Sequence, residues 1–376
     1  MKILHTADWQ IGKRYGQFDP DEATLLAEAR FEVVVRIAEC ALAEAVDLIL
    51  VAGDVFDAQG VTDRTILRLF QAMATYPRPW AMIPGNHDAA LAESVWSRAV
   101  RLGAVPPNVH VCLDPLPLVL PDPGVAILPA PLTQRHVYTD LTAWFDAAKT
   151  PEGMPRIGLA HGSVQGILLE DADATNPIAP GRAASAQLDY LALGDWHGTR
   201  RIDERTWYSG TPEPDRFRNN ESGQVLLVDI DSVGSTPSVR AVPIGRYRWR
   251  TIAHDLQVAT DLVTLLHDLA ELGQGDVAQL DVTGSVDLEG HLALGREIAA
   301  ARARARSLNV DLDSLRLQPT ADDIRALHAD GYLGEVIEEL RQQEAAGQAE
   351  LARDALGLLV AVLDQTRAVN DDGGVQ

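Results

Sequence analysis

Residues 47–52 read DLILVA, and no polar side chain interrupts the run between Leu48 and Ala52. A strand that is apolar on both faces cannot border water. It belongs inside a sheet covered on both sides, the setting of parallel sheets in α/β proteins. The neighbouring pattern agrees. Residues 2–6 read as a strand, 22–46 as a long helix, 62–76 as a second helix and 80–83 as another apolar strand. This alternation implies a largely parallel inner sheet. Residues 108–128 change to short strands punctuated by Pro and Gly, and strand-like runs return at 206–209, 224–230 and 239–244. Two sheets packed face to face and flanked by helices account for the mixture.

With 376 residues the chain exceeds one ordinary core. From about residue 250 a new pattern begins: strand 248–253, helix 260–272, strand 277–283, helix 290–306 and strand 309–317, the size of a small α+β domain. Beyond it, Leu333, Val336, Ile337 and Leu340 form one helical stripe. Leu351, Ala355, Leu358, Leu359, Val362 and Leu363 form a second, with Gly347 between them. Expected boundaries are therefore 1–247, 248–320 and a helical tail at 321–376, whose end, NDDGGVQ, should fray. Arg302, Arg304 and Arg306 cannot share one helix face and read as a solvated surface.

The formal net charge of -22 argues against a general nucleic-acid coat, which is usually basic. The charge is uneven: residues 1–250 carry 23 Lys and Arg against 31 Asp and Glu, whereas residues 251–376 carry 9 against 23. A polyanionic substrate would approach the first part and avoid the tail. Cys40 and Cys112 are the two cysteines, too few for a disulfide framework, and the apolar start is broken by Asp8, unlike a signal peptide. No apolar run approaches the ~20 residues of a membrane span. The expectation is a cytoplasmic protein with no membrane partner.

Five short motifs follow in order, each at the end of an expected strand: Asp8-Trp9-Gln10, Gly53-Asp54 within GDVFD, Gly85-Asn86-His87-Asp88, Ala160-His161-Gly162, and Gly194-Asp195-Trp196-His197-Gly198. Each supplies oxygen or imidazole groups where a buried strand gives way to a loop. Ligand sites of open α/β sheets lie at such carboxyl ends, so the five can meet in one cleft. Gly53, Gly85 and Gly194 suit sharp turns that aim a neighbouring side chain inward. Singly, each motif has a plainer explanation: Asp8 as a helix cap, GNHD as a turn, His161 as a satisfied core histidine, His197 as packing beside Trp196. The ordered set is what carries weight.

The ordered D-x-H, GD, GNH, H and GHxH motifs define the calcineurin-like metallophosphoesterases, and this sequence resembles a variant of that pattern. The HTADWQIGK opening, GDVFD, GNHD and YSGTPEPDRF at 208–217 resemble in particular the SbcD type of DNA repair nuclease, over about residues 1–245. The resemblance implies a four-layer α/β/β/α sandwich, followed by a small α+β capping domain and a helical tail. It implies two divalent cations bridged by Asp54, with Asp8, Gln10 and His197 completing one site and Asn86, His161 and Asp195 the other. Gln10 stands where the family usually has His, and Asp195 replaces the first His of GHxH. Each change removes one imidazole from a different metal. More oxygen and less nitrogen moves preference toward harder ions, manganese first and magnesium second.

The implied chemistry is in-line attack on a phosphodiester by a water activated between two metals, with His87 binding the phosphate or protonating the leaving oxygen. Asp57, three residues after Asp54, is a candidate to orient that imidazole, and Asp88 reads as a loop-fixing acid. Lys13, Arg14, Arg200, Arg216 and Arg218 follow the motifs closely and are candidates to grip a nucleic-acid backbone, although surface charge explains any one of them. The implied function is a DNA exonuclease, with endonuclease activity also open, working on DNA with an SbcC-type ATPase docked through the C-terminal helices, and as a dimer. Two other functions fit the same residues: a phosphodiesterase for small nucleotide diesters, and a non-catalytic DNA-binding protein whose metal site has decayed. The tail stripes equally fit packing on their own domain.

Overall fold

The apolar run at residues 48–52 is a central strand of a six-stranded sheet in the computed structural model, which describes residues 1–167, 175–218, 220–318, 320, 332–345, 352, 355–359 and 362. This sheet contains β1 (Lys2–Thr6), β2 (Leu48–Ala52), β3 (Trp80–Ile83), β4 (Val109–Val111), β13 (Gln224–Asp229) and β14 (Ser238–Pro243), in the order β14-β13-β1-β2-β3-β4. β1 to β4 run parallel, and β13 pairs antiparallel with both β1 and β14. The crossovers carry α1 (Pro20–Ala43), α2 (Asp63–Met73) and α3 (Val95–Arg101). The alternation of β2 explains its composition. Ile49 and Val51 pack with Val33, Ile37, Leu69 and Trp96 of the helices, while Leu48, Leu50 and Ala52 face the other way into a second apolar layer.

That second layer is shared with a second six-stranded sheet, built from β5 (Leu118–Leu120), β6 (Val125–Ala130), β7 (Arg156–His161), β10 (Tyr190–Gly194), β11 (Arg200–Arg201) and β12 (Thr206–Tyr208), in the order β11-β12-β10-β7-β6-β5. Ile127, Ile157, Leu159, Tyr190 and Ala192 meet Leu48, Leu50, Ile83 and Leu226 between the sheets. The outer face, with Leu128, Leu191, Leu193 and Tyr208, is covered by Phe145 of a 3-10 turn at Ala143–Ala147 and by Ala183 of α4 (Arg182–Ser185). β8 (Ser163–Val164) and β9 (Pro177–Ile178) form a separate parallel pair. The result is the expected four-layer α/β/β/α arrangement.

The expected helix at 22–46 begins earlier and ends earlier. Pro20 occupies the first turn, where its missing N–H costs nothing, and Ala45 at φ 53° stops the helix after Ala43.

By contact the chain divides into two units, Met1–Arg248 and Trp249–Gln376. In the second, β15 (Arg248–Leu256), β16 (Asp276–Val286) and β17 (Ser307–Leu317) form a sheet in that order, with α5 (Ala259–Ala270) and α6 (Leu288–Arg304) between successive strands. Ala278, Leu280 and Val282 alternate onto the face where Leu265, Leu269, Leu294 and Ile298 pack. Arg304 departs from the solvated reading: it is half-buried and donates to the Leu269 carbonyl and to Glu297, whereas Arg302 is exposed.

In the tail, α7 (Tyr332–Ala345) places Ile337 and Leu340 against Leu288, Leu317, Leu356 and Leu359 of the same unit. The second stripe sits on another face than expected. Ala352 and Leu356 are buried, while Leu358 and Val362 are 69% and 55% exposed. Gly357 explains the choice, since a Cβ there would lie 2.7 Å from the Leu317 carbonyl, so this face carries the close approach. Leu351 and Leu363 lie outside the described residues. Among the described residues no helix is long and apolar enough to cross a membrane.

Candidate metal centre

Five carboxyl strand ends meet at one edge of the two sheets. The loop after β1 is zipped to the loop after β2 by hydrogen bonds from Asp8 N to Gly53 O, Gln10 N to Asp54 O and Ile11 N to Val55 O, all 2.9–3.0 Å. Trp9 turns into the core, where it is fully buried and donates to Thr6 Oγ1 at 2.9 Å. Its neighbours therefore face the cleft. Asp8, Gln10, Asp54 and Asp195 all adopt positive φ, at 55°, 52°, 51° and 101°. Non-glycine residues avoid this region unless the surroundings impose it, and such residues gather at functional sites. Of the three glycines expected to make sharp turns, Gly53 does so, at φ 88°. Gly85 serves a different need: a Cβ there would stand 2.2 Å from Asp54 Oδ1.

Asp8, Asp54 and His161 bring ligand atoms within 4.8 Å of one another, and all three are buried. His161 lies 2.8 Å from the Ala52 carbonyl through Nδ1, which must therefore carry the proton and donate. Nε2 then faces three oxygens: Asn86 Oδ1 at 3.2 Å, Asp54 Oδ1 at 3.6 Å and Asp195 Oδ1 at 3.7 Å. A nitrogen lone pair among oxygen acceptors is satisfied by a shared cation or by a proton. Burial opposes charge on this ring, but Asp54, Asp195 and Asp8 outweigh it and raise its pKa to about 9. Burial pushes the Asp8 carboxyl up to about 6, against the pull of His197 and His161, and raises Asp195 as well. The Asp8 carboxylate is held by the Asp195 N–H at 3.2–3.3 Å.

Gln10 supplies a test of whether these residues suit a cation. Its Nε2 donates to Asp54 Oδ2 at 3.0 Å, while its buried Oε1 has no hydrogen-bond partner. An orphaned buried carbonyl on an amide that contacts the Asp54 carboxylate is costly on its own, and a cation would satisfy it. The donor set is rich in oxygen, as hard divalent ions prefer. The residues fit.

The His87 side chain is one-third exposed at the cleft, with Nε2 4.0 Å from Asp54 Oδ2, and the main-chain N–H of His87 donates to Asp54 Oδ1 at 2.9 Å. Asp57 does meet this imidazole, but through its main chain: His87 Nδ1 is 2.8 Å from the Asp57 carbonyl oxygen. The orienting group is thus the peptide, and the acid at 57 is not what the contact requires. Asp88 is fully buried and accepts from Gly85 N at 2.7 Å and Phe56 N at 3.0 Å. It fastens the GNHD loop, as expected. Burial lifts its pKa to about 7.

His197 is held by a residue that the motif reading missed. Asp215 Oδ1 lies 3.2 Å from His197 Nδ1, and the carboxylate side chain is 1% exposed. Lys13 Nζ meets Asp215 Oδ2 at 2.7 Å, the buried Arg30 approaches it at 3.8 Å, and Arg216 Nε lies 3.2 Å from Oδ1. Arg216 Nη2 also lies 3.1 Å from His197 Nδ1. One ring nitrogen cannot donate to Asp215 and accept from Arg216 together. Arg216 Nη2 has another acceptor in Asp215 Oδ2 at 3.4 Å, whereas a bare Nδ1 lone pair would repel the buried carboxylate, so Nδ1 carries the proton and donates it to Asp215 Oδ1. Burial would raise Asp215, but His197, Arg30 and Lys13 hold it well below the usual carboxylate range.

Two of the five candidate substrate cations, Lys13 and Arg216, are therefore turned onto Asp215. Arg200 stacks over Trp196 at 5.7 Å, and Arg14 and Arg218 are exposed. A clue to this network was present in the sequence: Arg30 interrupts the apolar stripe Leu26, Val33, Val34, Ile37 of α1, and a charge inside a buried stripe needs a partner.

The calcineurin-like phosphoesterase family model matches residues 1–177, which include Asp8 through His161. The SbcD component of nuclease SbcCD from Rhodobacter capsulatus is 39% identical over 294 residues, covering 65% of this chain and 70% of that protein. Its counterpart from Escherichia coli is 26% identical over 341 residues, 79% of this chain and 78% of its own. The DNA double-strand break repair protein Mre11 of Aeropyrum pernix is 28% identical over 267 residues, 65% and 61% of the respective chains. On these matches the chain, with its five motif-bearing strand ends gathered at one edge, belongs to the SbcD-type calcineurin-like phosphoesterases.

Proposed function

We propose that this protein is a metal-dependent DNA phosphodiesterase, an exonuclease acting in DNA repair. The observation that carries the reading is the buried meeting of Asp8, Asp54 and His161 beside the unpartnered Gln10 Oε1. Relatives named as components of the SbcCD nuclease and as a DNA double-strand break repair protein support DNA as the substrate. Asp8, Gln10, Asp54 and His197 would hold one divalent cation, and Asp54, Asn86, His161 and Asp195 a second, with manganese suited to the oxygen-rich set. Bound there, the ions would supply Lewis-acid neutralisation of the phosphate and a water acidified for attack.

The chain's own groups do the rest. Asp8 and Asp54 set a strongly negative floor that makes the cleft select cations before anions. His87, its Nδ1 turned to the Asp57 carbonyl, presents Nε2 to the cleft, where it can hydrogen-bond a phosphate oxygen or protonate the departing one. The exposed Arg14 and Arg218 supply backbone contacts with DNA. An SbcC-type ATPase is the proposed partner, reached through the C-terminal helices.

The test is manganese-dependent degradation of linear double-stranded DNA by the native protein, Asp54→Ala and His87→Ala. Nucleotide release by the native protein alone is the expected result. Intact DNA with hydrolysis of a small phosphodiester would replace the substrate, and no hydrolysis of either in excess metal would leave a protein that binds DNA without cutting it.

A further inference from the structure

We infer that Asp215 is a positioning residue: it fixes the His197 ring with the proton on Nδ1, so that Nε2 is presented as a metal ligand. This rests on the reading of His197 as a ligand given above. Three site histidines are oriented in two ways. His161 and His87 lean on the main-chain carbonyls of Ala52 and Asp57, which any side chain would provide. His197 instead leans on a carboxylate, with Oδ1 of Asp215 at 3.2 Å. A carboxylate behind a ligating imidazole fixes its tautomer and increases its basicity.

The surroundings of Asp215 suit that task. A buried carboxylate free to move would solvate itself elsewhere, but Oδ2 is pinned by Lys13 at 2.7 Å and faces Arg30 at 3.8 Å, which leaves Oδ1 toward the ring. Arg30 is itself fixed by three further hydrogen bonds, to Tyr15 Oη and Trp9 O at 2.7 Å and to Glu213 O at 3.2 Å. The Trp9 carbonyl lies between the candidate ligands Asp8 and Gln10. The same arginine thus ties the first motif, α1 and the 210–218 loop to one carboxylate. A structural ion pair needs one cation; here Lys13 and Arg30 take Oδ2, while Oδ1 is shared by the His197 ring and the exposed Arg216.

The experiment is manganese binding to the full chain by calorimetry after chelator stripping, in native, Asp215→Asn, His197→Ala and the double variant, with circular dichroism as the folding control. Asp215→Asn should weaken binding by about 10–100-fold. It should weaken nothing further in the His197→Ala background, because a residue acting through the ring has no ring left to act on. Asp215→Glu keeps the charge beside Arg30 and Lys13 while displacing the oxygens from Nδ1, so it gives the same pattern if the Asn variant does not fold. Native affinity in both Asp215 variants overturns the proposal, as does an equal loss with and without His197. If His197→Ala binds as the native protein does, the ligand assignment falls and takes the Asp215 role with it.

Discussion

The carboxylates at the strand ends, Asp8, Asp54 and the partly exposed Asp195, and the buried Asp215 of the loop after β12 have their charges settled in opposite ways. Around Asp8, Asp54 and Asp195 the nearby basic groups are the imidazoles of His87, His161 and His197, and burial pushes Asp8 and Asp195 above the ordinary carboxylate range. Around Asp215 the cations are Lys13, Arg30 and Arg216, and the carboxyl is held far below that range. The first cluster has only imidazoles for positive charge, which makes it the candidate metal site. The second contains its own cations. Burial of an acid alone does not mark a metal site: Asp88 and Asp215 are buried too, one held by main-chain N–H groups and the other by cations.

Removing the internal counter-charge should have the largest effect. Arg30→Met leaves Asp215 buried without its fixed guanidinium and strips Trp9 O and Glu213 O of a donor. The expected loss is about 3–5 kcal/mol, read as a melting temperature lower by roughly 10 °C. A variant that melts with the native protein would mean that Lys13 and Arg216 suffice.

The next effect separates the clusters by pH. Asp8 at about 6, Asp88 at about 7 and His161 at about 9 bind a proton more tightly folded than unfolded, and so does Asp195, which burial also raises. Their stabilisation is complete below the unfolded values and lost as pH climbs through the folded ones, so chelator-treated protein should melt progressively lower from pH 5 to pH 9. Asp215 runs the other way: its contribution is present above the unfolded value of about 3.9 and lost as pH falls below it. Excess manganese should flatten the pH 5–9 decline, because a cation stabilises the ionised carboxylates. Melting curves with and without metal decide this; a flat metal-free profile would contradict the charge shortage.

The smallest effect concerns the exposed cations. Arg14→Ala and Arg218→Ala should each reduce the slope of log affinity for DNA against log salt by about 1. Lys13→Ala should instead act on stability, since Lys13 is committed to Asp215. Equal salt slopes for all three would erase the distinction between free and committed cations.

The inner sheets were legible because burial on both faces writes a continuous apolar run, as in residues 48–52, and the motif residues were legible because each follows such a run directly. Gln10 and Asp195 were visible as substitutions in an ordered pattern. The Asp57 contact was half visible: position 57 is right, but sequence shows side chains and the contact is made by a carbonyl. Asp215 was invisible as a partner of His197, since nothing in PEPDRF announces which ring it meets 18 residues away. In the second tail stripe, periodicity gave a helix but not the face that Gly357 brings against Leu317.

By itself the sequence determined which residue types stand at the strand ends and in what order, because local periodicity and strand termination are short-range properties of the chain. Only the tertiary structure decided which oxygen faces which nitrogen: that Nε2 of His161 looks into the cluster, that Gln10 Oε1 is left unpaired, and that Lys13 serves Asp215. Those assignments depend on distances between segments tens to hundreds of residues apart, and electrostatics in a buried site follows distance and solvation, not position along the chain.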